Sequence, residues 1–220
     1  MVVRIGIKAP NLEVSTWVQG KPTNLDREKG NVILIEVFQV NCPGCFLYGM
    51  PEAIGIYRKY EDSGLKVLGL ATAFEDFDKN NLENLKRLVT TGEVIGETYH
   101  ALSQYGHLRE GKKLPYNIPF PVAMDSLEKE NGPLTDNKVL DFIEANIPDF
   151  GGYTEKDRQV VIDRVKHYLK SRQFSAKTFE TYALRGTPSA ILVDKKGILR
   201  GTYFGSNRFL EGAVEELIRG

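Results

Sequence analysis

Cysteine is scarce in this sequence, with two among 220 residues. A small secreted scaffold held together by several disulfides needs more than this, so that class of protein is excluded. An excess of charge of either sign is also missing, because 29 Lys and Arg residues balance 29 Asp and Glu residues. Without an overall basic field, we expect neither a nucleic acid nor a membrane as a partner.

Long hydrophobic runs are missing as well. The most apolar run, Val32 to Val40, is too short to cross a bilayer and carries Glu36 in its middle. Residues 1–10 lack the apolar stretch that a signal peptide requires. We therefore expect a cytoplasmic protein; an exported protein whose leader is absent from this sequence is the alternative.

The hydrophobic residues that are present, 41% of the chain, suffice for one large domain. Residues 31–38 are almost continuously apolar and rich in β-branched side chains, which is typical of a strand covered on both faces. Helical spacing follows from Phe46 to Ser63, Gly64 ends it, and residues 65–71 form a second apolar run. This succession predicts a βαβ unit with parallel strands.

The flanking segments complete an α/β pattern. Residues 11–29 predict a short strand and a turn, which we interpret as an N-terminal hairpin extension. Residues 190–193 and 198–204 predict an antiparallel hairpin, and a final helix follows it. Between these parts, the segment 126–182 carries two amphipathic patterns, at 139–147 and 159–169. We predict one domain over residues 1–220, with 126–182 as a helical insertion within it.

The strongest chemical signal is Cys42-Pro-Gly-Cys45, at the junction of a buried strand and a helix. The helix N-terminus favours the thiolate form of the first sulfur, while the second lies one turn further in and is more buried. We predict that Cys42 attacks disulfides and that Cys45 resolves the mixed disulfide. The alternatives are two inert cysteines or half of a zinc site, although the three histidines show no paired spacing. We expect no metal and no cofactor.

Glu36 stands inside the strand predicted to be buried on both faces. A carboxylate is costly to ionise there, so burial should raise its pKa. Such a group could take the proton from Cys45 when that thiol attacks the mixed disulfide. The alternative is a locally exposed strand with a solvated Glu36.

These residues together resemble the thioredoxin superfamily. The resemblance is carried by Cys42-Pro-Gly-Cys45 after an apolar strand, Glu36 six positions before Cys42, and Gly186-Thr187-Pro188 before another strand. Lys8-Ala-Pro10, the N-terminal hairpin and Phe120-Pro-Val-Ala-Met-Asp125 resemble the redoxin branch, typified by TlpA- and ResA-like thiol-disulfide oxidoreductases.

The resemblance implies a thioredoxin-like fold, a central mixed sheet flanked by helices. It also implies a cis Thr187–Pro188 bond, with Thr187, Pro188, Pro43 and Gly44 contacting the substrate. The sequence departs from the family pattern in three places. Asn41 stands where tryptophan commonly precedes the first cysteine, and the helix proline, Pro51, comes one residue later than in the family pattern. Residues 126–182 have no counterpart in a minimal thioredoxin.

The implied activity is thiol-disulfide exchange, with a disulfide-containing protein or small molecule as substrate and an unidentified thiol as reductant. One alternative is a thiol peroxidase, but Ile35 and Gln39 stand where the peroxiredoxin pattern has Pro and Thr. The other is a non-catalytic thioredoxin-like binding module. The intact Cys-x-x-Cys motif, the buried acid and the Thr-Pro pair together argue against this alternative.

We expect the insertion to form a cap that influences which substrates reach Cys42. The alternatives are that it is a stabilising appendage or an oligomer interface.

Overall fold

A computed structural model describes residues 3–129, 132–147, 149–171 and 174–220. The strands are β1 (Val14–Gln19), β2 (Val32–Phe38), β3 (Leu65–Ala71), β4 (Val122–Asp125), β5 (Leu127–Lys129), β6 (Phe174–Ala176), β7 (Ser189–Val193) and β8 (Leu199–Phe204). The helices are α1 (Met50–Tyr60), α2 (Leu82–Thr91), α3 (Gly96–Gln104), α4 (Asp136–Asn146), α5 (Glu155–Ser171), α6 (Lys177–Thr181) and α7 (Leu210–Arg219), and a π-turn, Cys45–Gly49, precedes α1. Within these ranges, no helix is both long and apolar enough to cross a membrane.

The core is a six-stranded mixed sheet in the order β1-β4-β3-β2-β7-β8. Strands β2, β3 and β4 run parallel, and β7 pairs antiparallel with β2. All seven residues of β2 are buried, because β2 has a neighbour on each side and packed side chains on each face. The predicted βαβ unit and the central mixed sheet flanked by helices are confirmed.

The two faces of β2 serve different parts of the core. Leu34 and Phe38 pack in one cluster with the π-turn and α1, whereas Ile33 and Ile35 pack in a second cluster on the opposite face. Because side chains alternate along a strand, Glu36 points to the same side as Leu34 and Phe38. The pleat of β2 therefore directs one carboxyl group toward the helix that carries the cysteines.

The predicted N-terminal hairpin is wrong. The strand is present as β1, but its partner is β4, with Val14 opposite Asp125 in an antiparallel pair. The turn at Gly20, with a φ of +74°, packs tightly on Pro121 beside β4. The described residues contain no strand between β1 and β2 that could form the second arm of a hairpin. The alternation of residues specified a strand without specifying which sheet edge it would join.

The segment 126–182 contains the two predicted helices, α4 and α5, which pack on each other around Val139, Ile143 and Val165. It also contains elements that the sequence did not predict: α6, and the strands β5 and β6, which form a separate antiparallel pair. The buried Asp125 carboxylate accepts hydrogen bonds from the Thr178 and Phe179 backbone N–H groups, so the returning chain is attached to the end of β4.

Candidate active site

The two cysteines lie where the chain leaves β2 and begins a helix. Cys42 and Cys45 form a disulfide with a Cα–Cα distance of 5.4 Å. Pro43 occupies the first helical turn, where its missing N–H costs nothing. The Cys45 N–H points at the Cys42 sulfur, 3.2 Å away, as a backbone donor does toward the residue that caps a helix. Cys42 is half-buried and Cys45 is fully buried, so Cys42 is the more accessible of the pair.

The loop before β7 lies against this disulfide. The Thr187–Pro188 peptide bond is cis, as the family resemblance implied. The Thr187 carbonyl oxygen lies 3.6 Å from the Cys42 sulfur, although the two residues are 145 positions apart. On the other side, a Cβ atom placed on Gly44 would lie 3.7 Å from Pro188 Cδ. The structure therefore brings together Cys42, Gly44, Thr187 and Pro188.

Glu36 is buried beneath the helix, with 3% of its surface exposed, so the alternative of a solvated side chain is wrong. Its Oε1 atom has no hydrogen-bond partner among the described residues. Burial raises the pKa of Glu36 well above its usual range, and the nearby charge of Glu52 raises it further.

Gly49, the last residue of the π-turn, lies between Glu36 and Pro188. A Cβ atom at this position would lie 2.4 Å from Glu36 Oε1 and 2.5 Å from Pro188 Cβ, closer than any side chain permits. The absence of a side chain at Gly49 thus allows the helix to contact the buried acid and the cis-proline together. Glu36 thus lies against the helix at Gly49, four residues after Cys45.

Asn41 replaces the expected tryptophan and has a structural role that the sequence did not reveal. Its backbone N–H donates to Asn80 Oδ1 at 2.8 Å, and its side-chain amide donates to Asp76 Oδ2 at 2.7 Å. Its Oδ1 atom accepts the Glu97 N–H at 2.8 Å. The residue before Cys42 is therefore held by the loop after β3 and by the start of α3.

Gly49 and Tyr116 also border the site and were not singled out from the sequence. The Tyr116 hydroxyl donates to the Phe46 carbonyl, inside the π-turn, at 2.9 Å. A glycine in the middle of a helical pattern is a signal that could have identified Gly49. Nothing in the sequence around Tyr116 connects it to the cysteines, because the contact spans 70 positions.

The surroundings of the cysteines do not support the alternative chemistries. Gln39 stands at the position where a peroxiredoxin would have Thr. Its side chain is buried, and its Oε1 atom accepts a hydrogen bond from the Phe74 N–H at 3.1 Å, so this side chain binds the loop after β3. In the part of the chain that the structure describes, no three His, Cys, Asp or Glu side chains converge on a point where a metal ion could bind. The zinc-site alternative thus has no support there.

Comparison with known sequences gives a partial match. No protein-family model matches the chain. Over 75 residues it is 35% identical to Protein DipZ of Mycobacterium bovis and to Protein DipZ of Mycobacterium tuberculosis. The match covers 32% of this chain and 11% of each DipZ protein. The chain thus spans only about a tenth of the length of these relatives.

Comparison with solved structures extends over nearly the whole chain. The thioredoxin-like superfamily protein SPOA0173 is 26% identical, with a TM-score of 0.58 and a coverage of 98% of both chains. A thiol-disulfide isomerase from Corynebacterium glutamicum is also 26% identical, with a TM-score of 0.56 and coverage of 95% of this chain and 94% of the other. The thioredoxin domain of a thiol-disulfide oxidoreductase from Bacteroides vulgatus is 16% identical at a TM-score of 0.51, which shows a common fold only.

The buried Glu36 carboxyl predicts a distinctive dependence of stability on pH. Because folding raises its pKa, the folded state favours the protonated form, and stability is lost as the pH rises from about 4.5 through the folded-state pKa. We expect Glu36→Gln to remove this loss, which amounts to at most about 1.4 kcal/mol per pH unit. Urea unfolding of the oxidised protein between pH 4 and pH 8 measures the effect.

Glu83→Gln, which changes an exposed carboxylate on α2, is the matched control for that experiment. The expected result is a flatter stability profile for Glu36→Gln alone. Profiles of the wild type and of Glu36→Gln that run parallel across this range would contradict the assignment of Glu36 as a buried titrating group.

Proposed function

We propose that this chain, a thiol-disulfide oxidoreductase of the thioredoxin-like type, reduces disulfides in protein or small-molecule substrates through Cys42 and Cys45. One observation carries the proposal: the Cys42 sulfur caps a helix N-terminus and lies 3.6 Å from the carbonyl of Thr187, beside the cis-proline. A sulfur in that position is reachable, activated and adjacent to backbone that a substrate could bind. The similarity to the solved thiol-disulfide isomerase, at 26% identity, supports thiol-disulfide chemistry for this chain.

Cys42 performs the first step. In the reduced protein its sulfur faces the start of the helix, where the Cys45 N–H lies 3.2 Å from it, and the partial positive charge of the helix end favours the thiolate. The thiolate attacks one sulfur of the substrate disulfide. A Cys42–substrate disulfide forms, the substrate S–S bond breaks, and the other substrate sulfur leaves as a thiolate.

Cys45 performs the second step. Its sulfur attacks the Cys42 sulfur, the mixed disulfide breaks, and the second substrate sulfur leaves as the Cys42–Cys45 disulfide forms. Two electrons have then passed to the substrate, and an external thiol reductant restores the dithiol by the reverse exchange. The buried Cys45 thiol must lose its proton first. Glu36 is the proposed acceptor, because its raised pKa lies closer to that of a thiol than an ordinary carboxyl does.

The cis-proline loop is the proposed docking site for an extended substrate. Thr187 is half-buried beside Cys42, and Pro188 offers no N–H that would compete for the substrate backbone. A substrate segment can pair with the backbone of Thr187 as an added strand, while Pro43 and Gly44 contact it from the helix side.

The cytoplasmic location stays a prediction. The proposed direction of electron flow, from the protein to the substrate disulfide, rests on that location, because the cytoplasm is a reducing compartment.

Variants of the two cysteines test the assignment of roles. Cys42→Ser should reduce no disulfide, because the attacking sulfur is gone. Cys45→Ser should accumulate a stable mixed disulfide at Cys42, because no second sulfur can resolve it. Mass spectrometry after incubation with an insulin-type substrate distinguishes these outcomes. Alkylation that is faster at Cys45 than at Cys42 in the reduced wild type would overturn the assignment.

We further propose that residues 1–220 form one domain and that the insertion, residues 126–182, acts as a cap that influences which substrates reach Cys42. Parallel β2 and β4 end at the same edge of the sheet, so the insertion leaves β4 at the edge that also holds the cysteines. The ring of Phe174 on β6 packs 5.2 Å from that of Phe77. Phe77 belongs to the loop whose Asp76 binds Asn41, next to Cys42.

A deletion tests the cap. Replacing 132–171 by a short Gly/Ser linker removes α4 and α5 but keeps β5 and β6, whose Lys129 and Phe174 stand opposite each other. A wider deletion would remove Phe179, which is part of the core. We expect reduction of a small disulfide reagent to stay within about two-fold of the wild type and reduction of a protein disulfide to change more. If both rates are unchanged in a folded variant, the insertion is an appendage and not a cap.

A further inference from the structure

The π-turn gives the active-site helix one residue more than an α-helix would have. Residues Cys45–Gly49 form this turn, and the Met50 N–H donates to the Cys45 carbonyl five positions back. The extra residue accounts for Pro51, which comes one position later than the family resemblance implies. Such turns inside helices occur frequently at functional sites.

The register of the π-turn leaves the Phe46 carbonyl without its helical donor. In an α-helix this carbonyl would accept the Met50 N–H, but that group bonds to Cys45 instead. A continued π-pattern would require an N–H at Pro51, and proline has none. Phe46 is 2% exposed, and an unpaired buried carbonyl is destabilising. The Tyr116 hydroxyl supplies the missing donor at 2.9 Å.

The residues at both ends of the π-turn belong to the redox site. Cys45 opens the turn, and Gly49 closes it against Glu36 and Pro188. A shift of the turn toward ordinary α-helical register would therefore change the position of Cys45 relative to Glu36. Burial raises the pKa of the Tyr116 hydroxyl, and the charge of Glu36 raises it further, so Tyr116 stays protonated and able to donate.

We propose that Tyr116 is a positioning residue for thiol-disulfide exchange: by holding the Phe46 carbonyl, its hydroxyl fixes the π-turn that sets Cys45 relative to Glu36 and Pro188. This inference rests on the proposed roles of Cys45 and Glu36. Tyr116 contributes through the helix backbone and takes no part in bond making or breaking. Its removal should therefore affect the step performed by Cys45 more than the step performed by Cys42.

Tyr116→Phe tests the proposal, and Tyr182→Phe is its matched control. The Tyr182 hydroxyl also donates to a backbone carbonyl, that of Pro10, from a buried ring outside the active-site helix. Reduced protein is mixed with an aromatic disulfide reagent whose thiolate is coloured. The first equivalent of thiolate leaves when Cys42 attacks, and the second leaves when Cys45 resolves the mixed disulfide, so one stopped-flow trace separates both steps.

In Tyr116→Phe we expect the second release to slow by about ten-fold, the effect of one lost hydrogen bond, with the first release within about two-fold. The pH midpoint of the second release should shift as well. Tyr182→Phe should change neither release, although it loses the same kind of hydrogen bond. Comparable losses of urea stability in the two variants would show that the kinetic change is not a consequence of general destabilisation.

A second substitution offers rescue. Pro51→Ala restores an N–H five positions after Phe46, so combining it with Tyr116→Phe should return the second release to within about three-fold of the wild type. Wild-type kinetics in Tyr116→Phe, or equal slowing of both releases, would overturn the inference and leave the proposed function intact. A wild type that releases only one equivalent would overturn the proposed function, and the inference with it.

Discussion

The antiparallel pairing of β2 with β7 is the constraint on which the rest of the site depends. Val37, near the end of β2, lies opposite Ser189, the first residue of β7. The chain that leaves β2 toward Cys42 and the chain that enters β7 through Thr187 and Pro188 therefore meet at one edge of the sheet. The helix N-terminus supplies the electrostatics for the Cys42 sulfur at the same point. A redox pair, the proposed backbone docking site and a helix end thus coincide because two strands are in register.

The same strand also carries an unfavourable feature. Glu36 is buried, and its Oε1 atom has no hydrogen-bond partner among the residues that the structure describes, which the fold tolerates because the surrounding core is extensive. Gly49 allows the helix to lie directly against this carboxyl. Burying an acid that leaves one oxygen without a hydrogen bond costs stability, which favours a chemical role for Glu36, and its raised pKa suits the exchange of a proton with a buried thiol.

Local patterns predicted much of this arrangement. The continuous apolar run of β2, the Cys42-Pro-Gly-Cys45 junction and the β7–β8 hairpin are all recognisable within a few residues of sequence. Glu36 could be placed in the core because its strand is apolar on both faces. The partner of β1 could not be predicted, since alternation specifies a strand and not its neighbour. Strands β5 and β6 have three residues each, too few to show a period.

The long-range contacts were also beyond the sequence. Asn41 was recognised as a departure from the family, but its role depends on bonds to Asp76 and Asn80, which only the folded loops bring near. Tyr116 reaches Phe46 from a different part of the chain. The sequence showed that Pro51 comes one residue later than in the family pattern, but only the structure showed the π-turn whose extra residue explains this shift. Side chains that satisfy a single distant backbone group leave no periodic trace in a sequence.

The reduction potential of the Cys42–Cys45 pair tests the central claim most directly. The protein is equilibrated in glutathione or dithiothreitol buffers of defined ratio, and the fraction of free thiol is measured by alkylation and mass spectrometry. A reductase should have a potential close to that of thioredoxin, about −270 mV. A potential near that of a strong oxidant, about −120 mV, would contradict the account, because the reduced pair could not then drive the reduction of substrate disulfides.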